Sequence, residues 1–369
     1  MINLFKTIMS ETVSDSIREV IQSGYIGEGE KVKEFERLLS SYLGTENILT
    51  LNSCTSALSL ALHLAGVSHG DEVLSTPFTC LATNTPIKNI GAKIVWVDID
   101  PKTGNLDIEN IIKKKKITSK TKAIVVVDWA GYPNDYLQLS NIARKFGLKI
   151  IVDSAHSFGS SYFRKLQSTC YIDYQCFSFQ AIKMLTTIDG GLLVTKSKDD
   201  YERGKRLRWF GIDRSIGDRM RCLHDVEECG FKYHMNDVNA AVGINNFNNV
   251  YEEELQKRKF NVKLYEEIYE NKKLHKLNYE PGRESCYWLY SLTVDDREKF
   301  IDYMNQNGVE TSRVYVRNDT HYCFRESSVY EKDLPGVKEF DNNQISIPIG
   351  SWVSEQDIET IKDLCLNYK

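Results

Sequence analysis

"FSFQAIKMLTTIDGG", Phe177 to Gly191, decides how this chain is read, because its one lysine stands in apolar company. Lys183 lies between Ile182 and Met184, with two threonines and an Asp-Gly-Gly turn behind it. Such neighbours strip water from the amine, which disfavours its charged form and lowers its pKa. A desolvated amine is the nucleophile that Schiff-base chemistry needs. The alternative is an ordinary lysine whose stem is buried while its head stays wet. The rest of the chain separates the two readings.

Upstream, short apolar runs alternate with helical patterns. "NILTL", "DEVLST", "KIVWVDI", "AIVVVDWAG" and "LKIIVDSA" read as strands. Between them Thr55 to Leu64, Ala82 to Asn89 and Leu137 to Lys145 read as helices. Continuous apolar strands separated by helices predict a parallel sheet covered on both faces. "CFSF" and "GGLLVT" add two short strands flanking Lys183. Two helices are expected before the first strand, over about Ser10 to Ser23 and Lys31 to Tyr42. A long helical stretch is expected from Asp237 to about Glu270, and "YWLYSLTV" opens a smaller α+β region. The expected division is residues 1–248, an N-terminal arm with the large domain, and 249–369, a small C-terminal domain.

Composition narrows the function classes. The 369 residues are 41% hydrophobic and 27% charged, as in a soluble globular protein, and suit more than one core. A net charge of -4 gives no general attraction to nucleic acid or membrane. The basic run Lys113 to Lys116 reads as a solvated helix end. No stretch approaches the roughly 20 apolar residues of a membrane span, and no signal-peptide layout is visible. Nine cysteines without a Cys-x-x-Cys pair predict reduced thiols, a cytoplasmic location and no metal site.

Four features then fall in order at strand ends. In "NSCTSALSLAL" a strand turns through small hydroxyl residues into a helix, a corner whose N–H groups suit an anion, with Thr55 and Ser56 as added donors. Plain N-capping by Ser53 or Thr55 is the alternative there. Asp153 in "IIVDSAH" ends a buried strand, where ligands of open α/β sheets bind. A carboxylate there needs a cationic or donor partner, which a protonated pyridine nitrogen supplies, although capping the next turn would also use it. His156 follows within reach of a ring oxygen, and Ser178 and Lys183 complete the series. An anion corner, a carboxylate, a polar ring contact and a desolvated amine are the requirements of pyridoxal 5′-phosphate (PLP).

The ordered set "GYIGEGEKVKEFE", "NSCTSAL", "DSAHSFG", "FSFQAIKMLTTIDGG", "KYHMNDVNAAVG" and "SIPIG" resembles the DegT–DnrJ–StrS family of sugar aminotransferases. The likeness spans nearly the whole chain, and its most specific block is SF-x-AIK-x-x-T-x-x-x-GG. The resemblance implies a fold-type-I, PLP-dependent homodimer with a large, mostly parallel sheet sandwiched by helices and a smaller C-terminal α+β domain. It implies that Lys183 forms the Schiff base, Asp153 partners the pyridine nitrogen and His156 lies beside the ring hydroxyl. Ser178, Thr55 and the Cys54/Thr55 backbone then form the phosphate cup. Asn236, or Lys232 beside it, becomes a contact lent by the second subunit.

Two departures stand out. Cys54 occupies a position more often glycine, and Cys80 in "TPFTCLATN" stands where many members place an aromatic ring against the cofactor, leaving Phe78 as a substitute only if the backbone shifts. Substrate candidates are Tyr25 in the first motif and Arg317, Asn318 and His321 in "RVYVRNDTHYCF". The implied reaction moves an amino group, with L-glutamate as donor, to C4 of a nucleotide-linked 4-keto-6-deoxy sugar. The alternatives are a C3-aminating enzyme, a dehydrating relative (whose lysine is replaced by histidine) and a regulator or sensor on the same scaffold.

Overall fold

The computed structural model describes residues 1–214, 225–327 and 333–369. The strands are β1 Ile48–Leu51, β2 Glu72–Ser75, β3 Lys93–Trp96, β4 Thr121–Val127, β5 Lys149–Asp153, β6 Ser161–Tyr162, β7 Tyr174–Ser178 and β8 Gly191–Thr195, then β9 Leu274–Lys276, β10 Arg283–Glu284, β11 Tyr290–Val294 and β12 Gln344–Ile347. Seven of them form the main sheet in the order β1-β8-β7-β5-β4-β2-β3. Its strands β4, β5, β7 and β8 are apolar runs almost wholly buried, as expected for a sheet covered on both sides. Pairing is parallel between β2 and β3, β2 and β4, β4 and β5, and β5 and β7. β8 alone runs antiparallel, to β7 on one side and β1 on the other. The sheet is therefore mostly parallel, and the exception is the strand that follows Lys183.

The helices that position the site are α1 Val13–Ser23, α2 Glu30–Leu43, α3 Cys54–Leu64, α4 Leu81–Asn89, α5 Ile108–Lys113, α6 Tyr136–Phe146, α7 Lys198–Leu207, α8 Asp237–Asn246 and α9 Glu252–Leu264. Their apolar residues recur with helical spacing, and α2 buries Val32, Phe35, Leu39 and Leu43 on one face. The long helical stretch anticipated after Asp237 is present but interrupted. A five-residue π turn, Phe247–Tyr251, joins α8 to α9, and a 3-10 turn carries the chain to Glu270. The domain boundary that we propose after residue 248 falls inside that π turn.

Beyond it a second core gathers Val262, Leu274, Leu292, Phe300, Ile345 and Ile358 around the antiparallel sheet β12-β11-β9. The N-terminal end reaches this region too: Ile2 pairs with Val309, and the Leu4 N–H donates to the Glu310 carboxylate at 2.8 Å. Among the described residues no helix is long and apolar enough to cross a membrane, and no group of three His, Cys, Asp or Glu side chains is placed to hold a metal. Eight described cysteines are free. In the basic run, Lys113 pairs with Glu109 on the exposed surface of α5.

Lys183 sits in the loop between β7 and β8. The two strands stay in register to Ser178 and Gly191, and the Phe179 N–H closes the loop on the Gly190 carbonyl at 2.9 Å. Gly191 presses on the corner before α3. A Cβ there would stand 2.4 Å from the Ser53 carbonyl carbon and oxygen and 2.5 Å from the Cys54 nitrogen, all backbone atoms. The loop bearing the lysine and the corner bearing the anion site are thus in van der Waals contact through a missing side chain. We expect Gly191→Ala to lower stability by about 1–3 kcal/mol, because overpacking against backbone has no cheap relief. Gly27→Ala, where a Cβ meets nothing within 4 Å, is the matched control and should leave urea midpoints unchanged.

Candidate active site

The parallel strands end on one side of the sheet, and their last residues surround a cavity of about 280 Å³. Cys54 and Thr55 from the start of α3, Cys80 before α4, and Asp153 and His156 at and after β5 line it. Ser178 from the end of β7 and Lys183 from the hairpin loop complete the ring. A larger cleft of about 570 Å³, lined by Asp98, Asp107, Glu280 and Arg283 among others, lies elsewhere and has no lysine or histidine in its wall. Chemistry rather than size identifies the site.

Asp153 is buried, and its carboxylate is held from three directions. Thr83 Oγ1 donates to Oδ2 at 2.6 Å, the Ala155 N–H donates to Oδ1 at 3.1 Å, and the Cys54 thiol lies 4.0 Å from Oδ1. Burial pushes the carboxyl above its usual range, while the bonds from Thr83 and Ala155 and the charge of Lys183 oppose that rise. The Cys54 thiol is itself pushed well up by burial and by Asp153, so it remains a donor. Thr83 was invisible in the sequence because a threonine within a helix carries no local sign of the carboxylate it will meet.

Lys183 keeps some surface toward the cavity, yet its amine is enclosed by protein. Loss of hydration lowers its pKa from the ordinary 10.5 to about 8, against the opposing pull of Asp153. The expectation of a desolvated amine is therefore met. His156 is buried as well, with Nε2 3.2 Å from Tyr315 Oη and Nδ1 without any partner. Desolvation, then Lys183, drives its pKa well down, so the ring is neutral. Tyr315, which lines the cavity from the C-terminal region, had not been singled out in the sequence.

At the corner, Ser53 caps α3 by accepting from the Ser56 N–H at 3.1 Å, as the capping alternative anticipated. That leaves Thr55 and the first N–H groups of α3 facing the cavity. The donor set suits PLP: an orphaned buried imidazole nitrogen, a buried carboxylate in need of a cation, a helix start for the phosphate and a desolvated amine.

The remaining candidates lie outside the cavity. Asn318 is buried, donating to the Thr79 carbonyl at 2.7 Å and accepting from Asn84 at 2.9 Å. Arg317 forms a two-pronged pair with Asp319, at 2.8 and 2.6 Å. These polar groups hold the loop to the segment before α4, and His321 is only part buried beyond them. Phe78 does not line the cavity. It is buried against Trp129 and Phe340, with ring centroids 4.8 and 5.1 Å away, so Cys80 is what faces the cavity at that point. Asn236 caps α8 by accepting from the Asn239 N–H, and the exposed Lys232 lays its amine 4.4 Å from the Trp209 ring. Tyr25 is 83% exposed.

One consequence is measurable without any ligand. In cofactor-free protein, trace acylation followed by peptide mass mapping should titrate Lys183 with a midpoint near pH 8, against about 10.4 for surface lysines. A midpoint equal to that of the surface lysines would mean that the amine is solvated.

The sequence model of the DegT/DnrJ/EryC1/StrS aminotransferase family matches residues 7–365. The crystal structure of the sugar aminotransferase CalS13 from Micromonospora echinospora superposes with a TM-score of 0.94 at 33% identity, covering 100% of both chains. The PLP form of the sugar aminotransferase Spr1654 from Streptococcus pneumoniae superposes with a TM-score of 0.89 at 27% identity, covering 98% of this chain and 97% of that one. The UDP-4-amino-4,6-dideoxy-N-acetyl-beta-L-altrosamine transaminase of Campylobacter jejuni is 29% identical over 358 residues, 95% of this chain and 92% of its own. The chain belongs to the DegT/DnrJ/EryC1/StrS aminotransferase family.

Proposed function

We propose that this enzyme transfers an amino group from L-glutamate to C4 of a nucleotide-linked 4-keto-6-deoxy sugar, with Lys183 as the covalent anchor of PLP. The carrying observation is that the Lys183 amine, lowered to about pH 8, and the buried Asp153 carboxylate face the same cavity. Family membership and the sugar transaminases among the relatives support the sugar substrate.

PLP, when bound, supplies the aldehyde that takes up the amino group and a ring that accepts the electron pair left when a carbon–hydrogen bond breaks. Asp153 holds the proton on the ring nitrogen, and Thr83 and Ala155 keep its two oxygens oriented for that task. His156 offers Nδ1 to the ring hydroxyl. Thr55, Ser178 and the N-terminus of α3 take the phosphate, whose charge suits a helix start. With a pKa near 8, Lys183 both accepts and returns a proton near neutral pH, so it moves the proton at the substrate carbon.

The site is completed by a second copy of the chain. Tyr25, Ile26, Ile188 and Phe210 are large apolar residues left exposed on one subunit. Lys232 stands at the mouth of α8, its backbone bonded to Asn52 just before the phosphate corner. We assign Lys232 to the neighbouring subunit's phosphate, and Asn236 to capping α8.

Incubation with ¹⁵N-labelled L-glutamate and a 4-keto-6-deoxy sugar nucleotide should place the label on C4, as read by NMR; label on C3 would overturn the regiochemistry. Borohydride reduction should fix the cofactor's mass on the Lys183 peptide. Asp153→Asn should slow the single-turnover reaction with donor by at least about 10²-fold, with less effect on binding. For the shared site, mixing Lys183→Ala with Lys232→Ala should restore activity, since one site of each mixed dimer carries neither lesion. Verified subunit exchange without recovery would place the site within one chain.

A further inference from the structure

One buried side chain touches both the amine and the imidazole of the site, yet no sequence motif singled it out. Trp288 is 1% exposed and stands two residues before the start of β11. Its indole N–H donates to the Ile182 carbonyl at 2.9 Å, the residue before Lys183. The Lys183 amine lies 3.7 Å from the indole centroid. The His156 ring stacks on the same indole with centroids 3.9 Å apart and planes 19° from parallel. A tryptophan that only filled space would satisfy its N–H anywhere. This one is bonded to the backbone next to the lysine, which fixes the indole relative to the start of the lysine side chain.

The anchoring behind it is also specific. Arg258 of α9 donates to the Trp288 carbonyl at 2.7 Å and to that of Tyr287 at 3.2 Å, and is itself paired with buried Glu254. Tyr287 has φ of +55°, a left-handed backbone that a tyrosine adopts only under constraint. Held in this way, the indole is delivered to the site from the start of the C-terminal region.

We propose that Trp288 is a positioning residue for Lys183: its indole face holds the amine when it is free of the cofactor, favouring its protonated form. The inference rests on the reading of Lys183 as the anchor. Aromatic faces attract cations through the negative charge above the ring, and more strongly when water is excluded. The other titratable groups facing the amine are Asp153 at the end of β5, Cys54 at the start of α3, Cys80 before α4, Cys286 two residues before Trp288, and His156. Asp153 and the indole stabilise the cation, whereas desolvation opposes it.

The test is the pH midpoint of Lys183 acylation in cofactor-free protein. Replacement of tryptophan by fluorinated tryptophan during expression keeps shape and hydrogen bond while weakening the ring's negative face. The midpoint should fall with increasing fluorination, and Trp288→Leu should lower it by about one unit. Trp288→Phe, which keeps a ring face but loses the bond to Ile182, should fall between Leu and wild type. The fluorinated protein decides the matter if Trp288→Leu does not fold. A midpoint that stays constant or rises across the fluorinated series would overturn the proposal. The same samples, loaded with PLP and reduced with borohydride, separate the two readings. Cofactor on Lys183 with an unmoved midpoint removes only the role of Trp288, whereas cofactor on another lysine removes the anchor and this inference together.

Discussion

A carboxylate and an amine enclosed in one cavity are each driven toward neutrality, and the rest of the site follows from that constraint. Burial raises the Asp153 carboxyl and lowers the Lys183 amine, while their mutual attraction opposes both shifts. Neither could stay charged alone in an apolar interior at acceptable cost. A ligand with a cationic ring nitrogen relieves the first, and an aldehyde that consumes the amine relieves the second. On the proposed assignment of Asp153 and Lys183, bound PLP would fill the electrostatic deficit that burial creates, so that affinity and reactivity would share one origin.

The scaffold that maintains this deficit is mostly parallel sheet. Parallel strands bring Asp153 and Ser178 to the same edge, each at the end of its strand. The one antiparallel strand returns the chain so that the lysine hangs in a closed hairpin rather than on a long connection. Buried charge pairs stiffen the perimeter. Arg208 reaches Glu36 at 2.5 Å, Glu28 at 2.9 Å and the Thr50 carbonyl at 3.1 Å, tying the Gly-rich loop before α2 to β1. Asp237 accepts from the Gly29 and Val32 N–H groups at 2.8 and 3.0 Å, which caps α2 from the start of α8. Breaking such pairs would strand a buried charge, so they specify the loop's position more than they add to stability.

Much of the lining of the candidate site could be read in the sequence because its members announce themselves locally. Lys183 has apolar flanks, Asp153 ends an apolar run, and Thr55 and Ser178 sit at strand-to-turn junctions. The strands and helices of the sheet were legible for the same reason, with periodic patterns closed by turns. Thr83, Tyr315 and Trp288 were not, since each meets a residue of the cavity wall through a pairing between positions more than 60 apart. Arg317 and Asn318 present the opposite case, since they lie outside the cavity. A polar, basic loop looks like a ligand-binding surface, but Asp319 and Thr79 take up its donors and Asn84 donates to its amide oxygen. Composition shows that a segment has hydrogen-bonding capacity; only the fold shows whether the protein spends it on itself.

The same distinction separates the two buried carboxylates at neighbouring strand ends. Asp128, just after β4, accepts from Tyr136 at 2.6 Å, Ser157 at 2.8 Å, Ser154 at 2.9 Å and the Asn134 backbone at 3.0 Å. Burial raises its pKa as it does for Asp153, but the bonds from Tyr136, Asn134 and Ser157 resist the change. Its oxygens have no capacity left for a ligand. Ser154 and Ser157 bracket His156, so Asp128 sets the turn that presents the imidazole, while Asp153 faces the cavity with Thr83 and Ala155 as its nearest donors. Two residues of the same type, both buried at the ends of adjacent strands, thereby differ in the donors around them. Asp128 is saturated and structural; Asp153 has fewer donors and faces the cavity, as its proposed role requires.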